Sequence, residues 1–143
     1  MITQTSCTVF AQNLLKGLEN FNTGTSYTYK IALYTANATL NNTTASYTTI
    51  NEVSGPGYTA GGNTLTISTV PTGDTTNNIA FISFAPVNWY SASFTTRGAL
   101  IYNATTSAAV CVLNFGSDKS PSGNTFTITF PSATSTSAII TVS

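Results

Sequence analysis

The segment YTYKIALY, residues 27–34, decides the fold class of this chain. Its odd-numbered positions hold tyrosine, isoleucine and leucine, and these alternate with threonine, lysine, alanine and tyrosine. A period of two places successive side chains on opposite faces of an extended backbone. The segment is therefore predicted to be a β-strand.

Related patterns recur through the rest of the chain, and clusters of Gly, Pro, Asn and Ser separate them. Alternation returns at residues 65–67 and 126–130, and denser apolar runs, typical of strands covered on both faces, occupy residues 79–84, 99–102, 109–115 and 138–142. This gives about eight strands, with no helical segment between them to build a parallel α/β sheet. We predict a mainly β fold, an antiparallel sandwich or jelly roll, forming a single domain over residues 1–143.

One helix is predicted at the N-terminal end, over about residues 7–21. Phe10, Leu14, Leu18 and Phe21 recur there at spacings of four, four and three. Gly17 weakens such a helix by about 1 kcal/mol relative to alanine, so the helix needs packing to persist. It is interpreted either as a helix that covers the core or as an anchor arm that docks Phe10, Leu14 and Leu18 on a partner subunit.

The composition favours a subunit of an assembly. Charged residues make up 6% of the chain and the formal net charge is zero, so little repulsion keeps copies apart. The four basic residues are scattered, which argues against nucleic acid as a partner. The first residues lack the pattern of a signal peptide, and no stretch approaches the ~20 apolar residues of a membrane span. We expect synthesis in a cytoplasm and no membrane partner.

The residues that carry chemistry are few. Without a single histidine, the chain lacks the commonest general base and metal ligand. Its four carboxylates are isolated in sequence, at Glu19, Glu52, Asp74 and Asp118. We therefore expect a protein that is not an enzyme, with no catalytic residues, metal or cofactor. Cys7 and Cys111 are interpreted as two buried thiols, with a disulfide between them as the alternative.

A glycine-rich stretch, NEVSGPGYTAGG at residues 51–62, contains a match to the dinucleotide fingerprint at Gly55, Gly57 and Ala60. That fingerprint needs a strand before it and a helix after it, with the pyrophosphate on the helix N-terminus. A pair of glycines, Gly61 and Gly62, and a predicted strand follow instead. The stretch is therefore predicted to be a long connection rather than a phosphate site.

Two further sites are predicted from local context. Arg97 enters an apolar strand and should be paired; Glu52 and Asp118 are its candidate partners, and we predict a structural Arg97–Glu52 ion pair. Trp89 and Tyr90 are either a stacking surface for sugars or a cluster in the core or at an interface.

Several stretches, read together, resemble a family of small tailed-bacteriophage proteins that are accessory structural proteins of the virion. They are YKIALYTANATLNNTTASYT, NEVSGPGYTAGGNTLT, WYSASFTTRGALIYN, AVCVLNFGSDKS and TFTITFP, and they fall within residues 27–142. Asn114 stands where the family would have an acidic residue, which weakens a cation site there.

The resemblance implies a virion component and, within that, a capsid decoration or cement protein. Such a protein would be a homo-oligomer, with a trimer favoured, bound to the major capsid protein. The alternative is a tail or fibre component that binds host glycan through Trp89 and Tyr90. An enzyme such as a glycan depolymerase would need two carboxylates about 5 to 10 Å apart.

Overall fold

The strand predicted from YTYKIALY lies near the middle of the largest sheet of the protein. A computed structural model describes residues 1–143. In chain order the elements are β1 (Thr5–Ser6), α1 (Thr8–Leu15), β2 (Tyr29–Tyr34), β3 (Asn63–Thr64), β4 (Ile67–Asp74), β5 (Ile79–Phe84), β6 (Val87–Ser93), β7 (Thr96–Asn103), β8 (Ala109–Lys119), β9 (Ser122–Ile128) and β10 (Ile140–Val142). The mainly β fold with one N-terminal helix is confirmed, with ten strands rather than about eight.

The strands form three antiparallel sheets. The largest has the order β1-β8-β7-β2-β3, the second has the order β10-β5-β4, and β6 pairs with β9. In the largest sheet, β2 runs against β7 along its whole length, from Tyr29 opposite Asn103 to Tyr34 opposite Gly98. This pairing joins residues about 70 positions apart, so its energy depends on non-local contacts.

The main core lies between the largest sheet and the other two. It contains 20 buried residues, among them Ile31 and Leu33 of β2, Ile82 of β5 and Trp89 of β6. All three sheets contribute to it, which is how a β-sandwich buries its apolar faces.

A second cluster of ten buried residues covers the opposite face of the largest sheet. Ala32 and Tyr34 of β2 and Leu100 of β7 lie in it, together with Leu40 from the connection after β2. The prediction that residues 99–102 form a strand covered on both faces is thus confirmed. YTYKIALY likewise ends in four residues that are all fully buried, Ile31 to Tyr34.

The long connection between β2 and β3 passes back over the largest sheet. Single bridges fix it there, with Tyr34 opposite Glu52 and Ser46 opposite Ala108. At its end Gly62 has a φ of +72°, and a Cβ on it would lie 1.8 Å from the carbonyl oxygen of Ile31. Only glycine lets the two backbones approach this closely. The predicted role of the glycine-rich stretch as a connection is confirmed.

The helix is shorter than predicted. It covers Thr8–Leu15, whereas the prediction extended it to residue 21. Gly17 adopts a φ of +72°, its amide donates to Leu14 O, and the amide of Leu18 donates to Asn13 O. These two bonds form the Schellman motif that ends helices at a left-handed glycine. Leu18 and Phe21 keep the 3.6-residue spacing in the sequence, but they lie in the turn and coil that follow the helix.

Both cysteines are buried and free, as predicted. Cys111 belongs to the main core and Cys7 to the second cluster. The two thiols are not joined, so the alternative of a disulfide between them is wrong. Burial raises the pKa of the Cys7 thiol to about 11 and that of Cys111 to about 12, so both stay protonated at neutral pH.

Candidate interaction surface

An apolar groove separates α1 and the turn that follows it from the sheet of β10, β5 and β4. Its volume is about 330 Å³. The apolar side chains that line it come from both sides and include Phe10, Leu14, Ala80, Phe81, Ile140 and Val142.

Apolar side chains next to this groove remain in solvent. Leu15 is 91% exposed, Leu18 is 42% exposed and Val142, which lines the groove, is 47% exposed. Single exposed apolar residues are normal, but an apolar groove with exposed apolar neighbours is typical of an interaction site. We refer to the groove together with Leu15, Leu18 and Val142 as the α1 face.

The predicted anchor residues divide between core and surface. Phe10 is buried in the main core, Leu14 is half-buried against it, and Leu18 lies beyond the helix at the surface. The helix therefore covers the core with Phe10. Leu15, at the end of the helix, is the large hydrophobic side chain with the greatest exposure.

A single carboxylate, Glu19, lines the groove among these apolar side chains. Its Oε2 accepts hydrogen bonds from the hydroxyl of Tyr29 at 2.8 Å and from Nδ2 of Asn103 at 3.1 Å, whereas its Oε1 is buried and has no hydrogen-bond partner. Burial raises the pKa of Glu19, and the hydrogen bonds from Tyr29 and Asn103, with the nearby side chain of Asn13, offset part of that rise. Glu19 thus places one negative charge within the α1 face.

The glycine-rich connection is held by a different carboxylate, Glu52. Its Oε1 accepts from the hydroxyl of Tyr58 at 2.6 Å and from the amide of Gly61 at 2.7 Å, and its Oε2 accepts from the hydroxyl of Tyr47 at 2.7 Å. Tyr102 of β7 completes the set by donating to Gly61 O at 2.7 Å. Desolvation first, and then the hydrogen bond to Glu52, raise the pKa of Tyr58.

These contacts have a structural role. Tyr58 also accepts a hydrogen bond from the amide of Leu33 in β2, so the network ties the connection to the largest sheet. Prediction from sequence singled out Glu52 as the partner of Arg97 and missed the tyrosines that it binds. The available signal was that Tyr47 and Tyr58 flank Glu52 within six residues.

The predicted Arg97–Glu52 ion pair is wrong. Nε of Arg97 lies 2.8 Å from Oδ1 of Asp118, and the two side chains are 36% and 47% exposed. The pairing of β7 with β8 sets Thr96 opposite Lys119, which brings Asp118 beside Arg97. Both oxygens of Glu52 are meanwhile occupied by tyrosine and amide donors. Asp118, the other candidate partner, is the one that the strand register selects.

Trp89 and Tyr90 do not form a shared surface, because neighbouring residues of a strand face opposite ways. Trp89 is 2% exposed, and its ring lies 5.8 Å from that of Phe126 and 6.4 Å from that of Tyr58. Tyr90 is 68% exposed. The sugar-stacking interpretation is therefore wrong for Trp89, which is a core residue, and only Tyr90 is available at the surface.

A larger cleft, of about 480 Å³, lies between β8 and β9. Its apolar side chains, such as Leu113, Phe115 and Phe126, are each at least partly covered, and threonines and Lys119 lie among them. Because no strongly exposed apolar residue lines this cleft, we regard the smaller groove of the α1 face as the better candidate for an interaction site.

Comparison with known proteins returned no matching family profile, no matching curated protein and no matching solved structure. No helix of the chain is long and apolar enough to cross a membrane.

Proposed function

We propose that this chain is a structural subunit of a tailed-bacteriophage virion, and that it decorates the capsid as a homotrimer bound to the major capsid protein. The resemblance of five separated sequence stretches supports the phage assignment. The observation that carries a binding role is the α1 face, where an apolar groove and the 91% exposed Leu15 lie together on the surface.

The proposed mechanism is burial of surface across neighbouring subunits of the shell. A standard protein interface buries about 1,600 Å² in total, and repeated contacts on one lattice turn a modest affinity into a stable attachment. A surface of hydroxyl and amide groups suits this role, because few charged side chains have to lose their water on docking. The proposed role needs no bond-making chemistry and no cofactor.

Cryo-electron microscopy of the particles made by the phage that encodes this chain tests the proposal. We expect density that fits the ten-stranded fold at three-fold or quasi-three-fold positions of the shell. Density confined to the tail would overturn the capsid role and favour the tail or fibre alternative. Absence of the chain from purified particles would overturn the virion assignment altogether.

A further inference from the structure

The α1 face combines a projection with a cavity. Leu14 lines the groove, and Leu15, the next residue of the helix, is turned 91% into solvent. Successive helical residues point about 100° apart, so the two side chains leave the helix on adjacent sides. The face therefore offers both an apolar side chain and an apolar groove of the kind that could receive one.

The α1 face also has one charged side chain on each side of the proposed contact, a lysine next to Leu15 and a glutamate in the groove. Lys16 follows Leu15 and is exposed, and it forms no ion pair within its own chain. Glu19 lines the groove and likewise has no cation as a partner. The groove would thus accept an apolar side chain with a cation next to it in the sequence. Leu15 and Lys16 of this chain have those properties.

We infer that the groove is filled by Leu15 of a second copy of this chain, with Lys16 of that copy beside Glu19. In a closed trimer each copy would offer Leu15 to one neighbour and its groove to the other, which is a head-to-tail contact that closes into a ring. Leu18 and Val142 extend the apolar surface beyond the groove, towards the ~800 Å² per partner of a stable interface. The inference deepens the proposed function by naming the contact between its subunits.

The mass of the purified chain in solution, measured by sedimentation over a range of concentrations, gives the first test. We expect the unsubstituted chain to self-associate, and Leu15→Ser to raise the dissociation constant at least about tenfold. Ile50→Ser is the matched control, because Ile50 is 72% exposed but does not line the groove. A chain that stays single at all concentrations would overturn the inference, as would equal effects of the two substitutions.

A cross-linking experiment locates the contact. Copies that carry Leu15→Cys are mixed with copies that carry Ala80→Cys, which replaces an exposed residue in the groove, and a mild oxidant is added. We expect a disulfide that joins one copy of each kind, whereas a mixture of Ile50→Cys and Ala80→Cys copies should give none. The native thiols do not interfere because both are buried. No joined pair in the first mixture overturns the inference.

Failure of this inference and failure of the proposed function have different signatures. A single chain in solution that still appears on the capsid would leave the virion role standing. If Leu15→Ser also prevented its attachment there, Leu15 would contact a capsid subunit and not a second copy. Self-association through Leu15 in a chain that is absent from particles would instead support the contact and overturn the virion role.

Discussion

Glu52 has no cation beside it, and its carboxylate is held by hydroxyl and amide donors. Three hydrogen bonds from Tyr47, Tyr58 and Gly61 satisfy its two oxygens at distances of 2.6 to 2.7 Å. Hydrogen bonds to a charged group in a half-buried site contribute more than an exposed ion pair does. The half-buried Glu52 should therefore matter more to stability than the exposed Arg97.

We predict that Glu52→Gln lowers the free energy of unfolding by about 1 to 3 kcal/mol, because an amide cannot accept at both positions. Arg97→Met should change it by less than about 1 kcal/mol, since the Arg97–Asp118 pair is exposed. Chemical denaturation of the two variants beside the unsubstituted chain measures both values. A larger effect of Arg97→Met would contradict the assignment of Glu52 as the main tether.

Asp74 gives the stability of the protein a defined dependence on acid pH. Hydrogen bonds from the side chain of Ser135, and then from the side chain and backbone of Asn77, lower the pKa of Asp74 from 3.8 to about 2. A lowered pKa means that the folded state binds the proton more weakly than the unfolded state does. The contribution of the ionised Asp74 to the stability of the fold is therefore present above about pH 4 and is lost as the pH falls towards 2.

We predict that the melting temperature of the unsubstituted chain falls more steeply between pH 4 and pH 2 than that of Asp74→Asn, which has no proton to gain. Thermal melts at half-unit steps of pH measure the difference between the two curves. The curves should run parallel above pH 5. Parallel curves down to pH 2 would show that Ser135 and Asn77 do not hold the carboxylate in solution.

At the scale of the elements, local pattern predicted strand and helix type well and boundaries less well. YTYKIALY is a strand because its period is two, and the helix begins near its predicted start. The pattern could not show that Gly17 ends the helix, because Leu18 and Phe21 keep the helical spacing after the chain has turned away. The groove of the α1 face lies between segments far apart in the sequence, so it too was beyond prediction from sequence.

Gly17 and Gly62 have the same φ but different surroundings. Replacing each with alanine therefore distinguishes the cost of the left-handed backbone conformation from the cost of a steric clash. Gly17 and Gly62 both have a φ of +72°, but a Cβ on Gly17 meets nothing within 4 Å, whereas one on Gly62 meets the backbone of Ile31. We predict that Gly17→Ala costs about 1 to 2 kcal/mol, which is the price of the left-handed conformation alone. Gly62→Ala should cost at least about 2 kcal/mol more, because a central strand cannot yield easily.

Urea denaturation of both glycine variants measures these differences in the free energy of unfolding, and we expect the substitutions to leave the m-value unchanged. Gly73→Ala serves as a further control, since Gly73 has an ordinary φ and open space around it. Equal losses for Gly17→Ala and Gly62→Ala would mean that the connection moves away from β2 at little cost.

At the scale of the whole molecule, composition and pattern predicted a single mainly β chain but not how its strands pair. The register of β7 against β8 depends on residues brought together by the fold, and it is this register that assigns Arg97 to Asp118. Likewise, strand alternation shows that Trp89 and Tyr90 face opposite ways but not which of them faces the core. Which face of a strand is buried is decided only when the sheets have packed together.

That burial predicts an uneven distribution of stability. The strands β2, β7 and β8 each have neighbours on both sides and apolar clusters on both faces, whereas β10 has three residues and pairs only with β5. In native-state hydrogen exchange the amides of Ile31, Leu100 and Val112 should open only with global unfolding, and those of β10 at a lower free energy. Equal opening free energies in β10 and β7 would show that the sheets unfold as one unit.

The same experiment responds to assembly, because Ile140 and Val142 line the groove. If a second copy fills the groove, raising the protein concentration should slow exchange in β10 while leaving Leu100 at its global limit. Leu15→Ser should remove this concentration dependence without changing exchange in the dilute protein. Slower exchange in β10 that persists in Leu15→Ser would place the contact elsewhere, since no other exposed side chain of the helix has the size and apolar character to enter the groove.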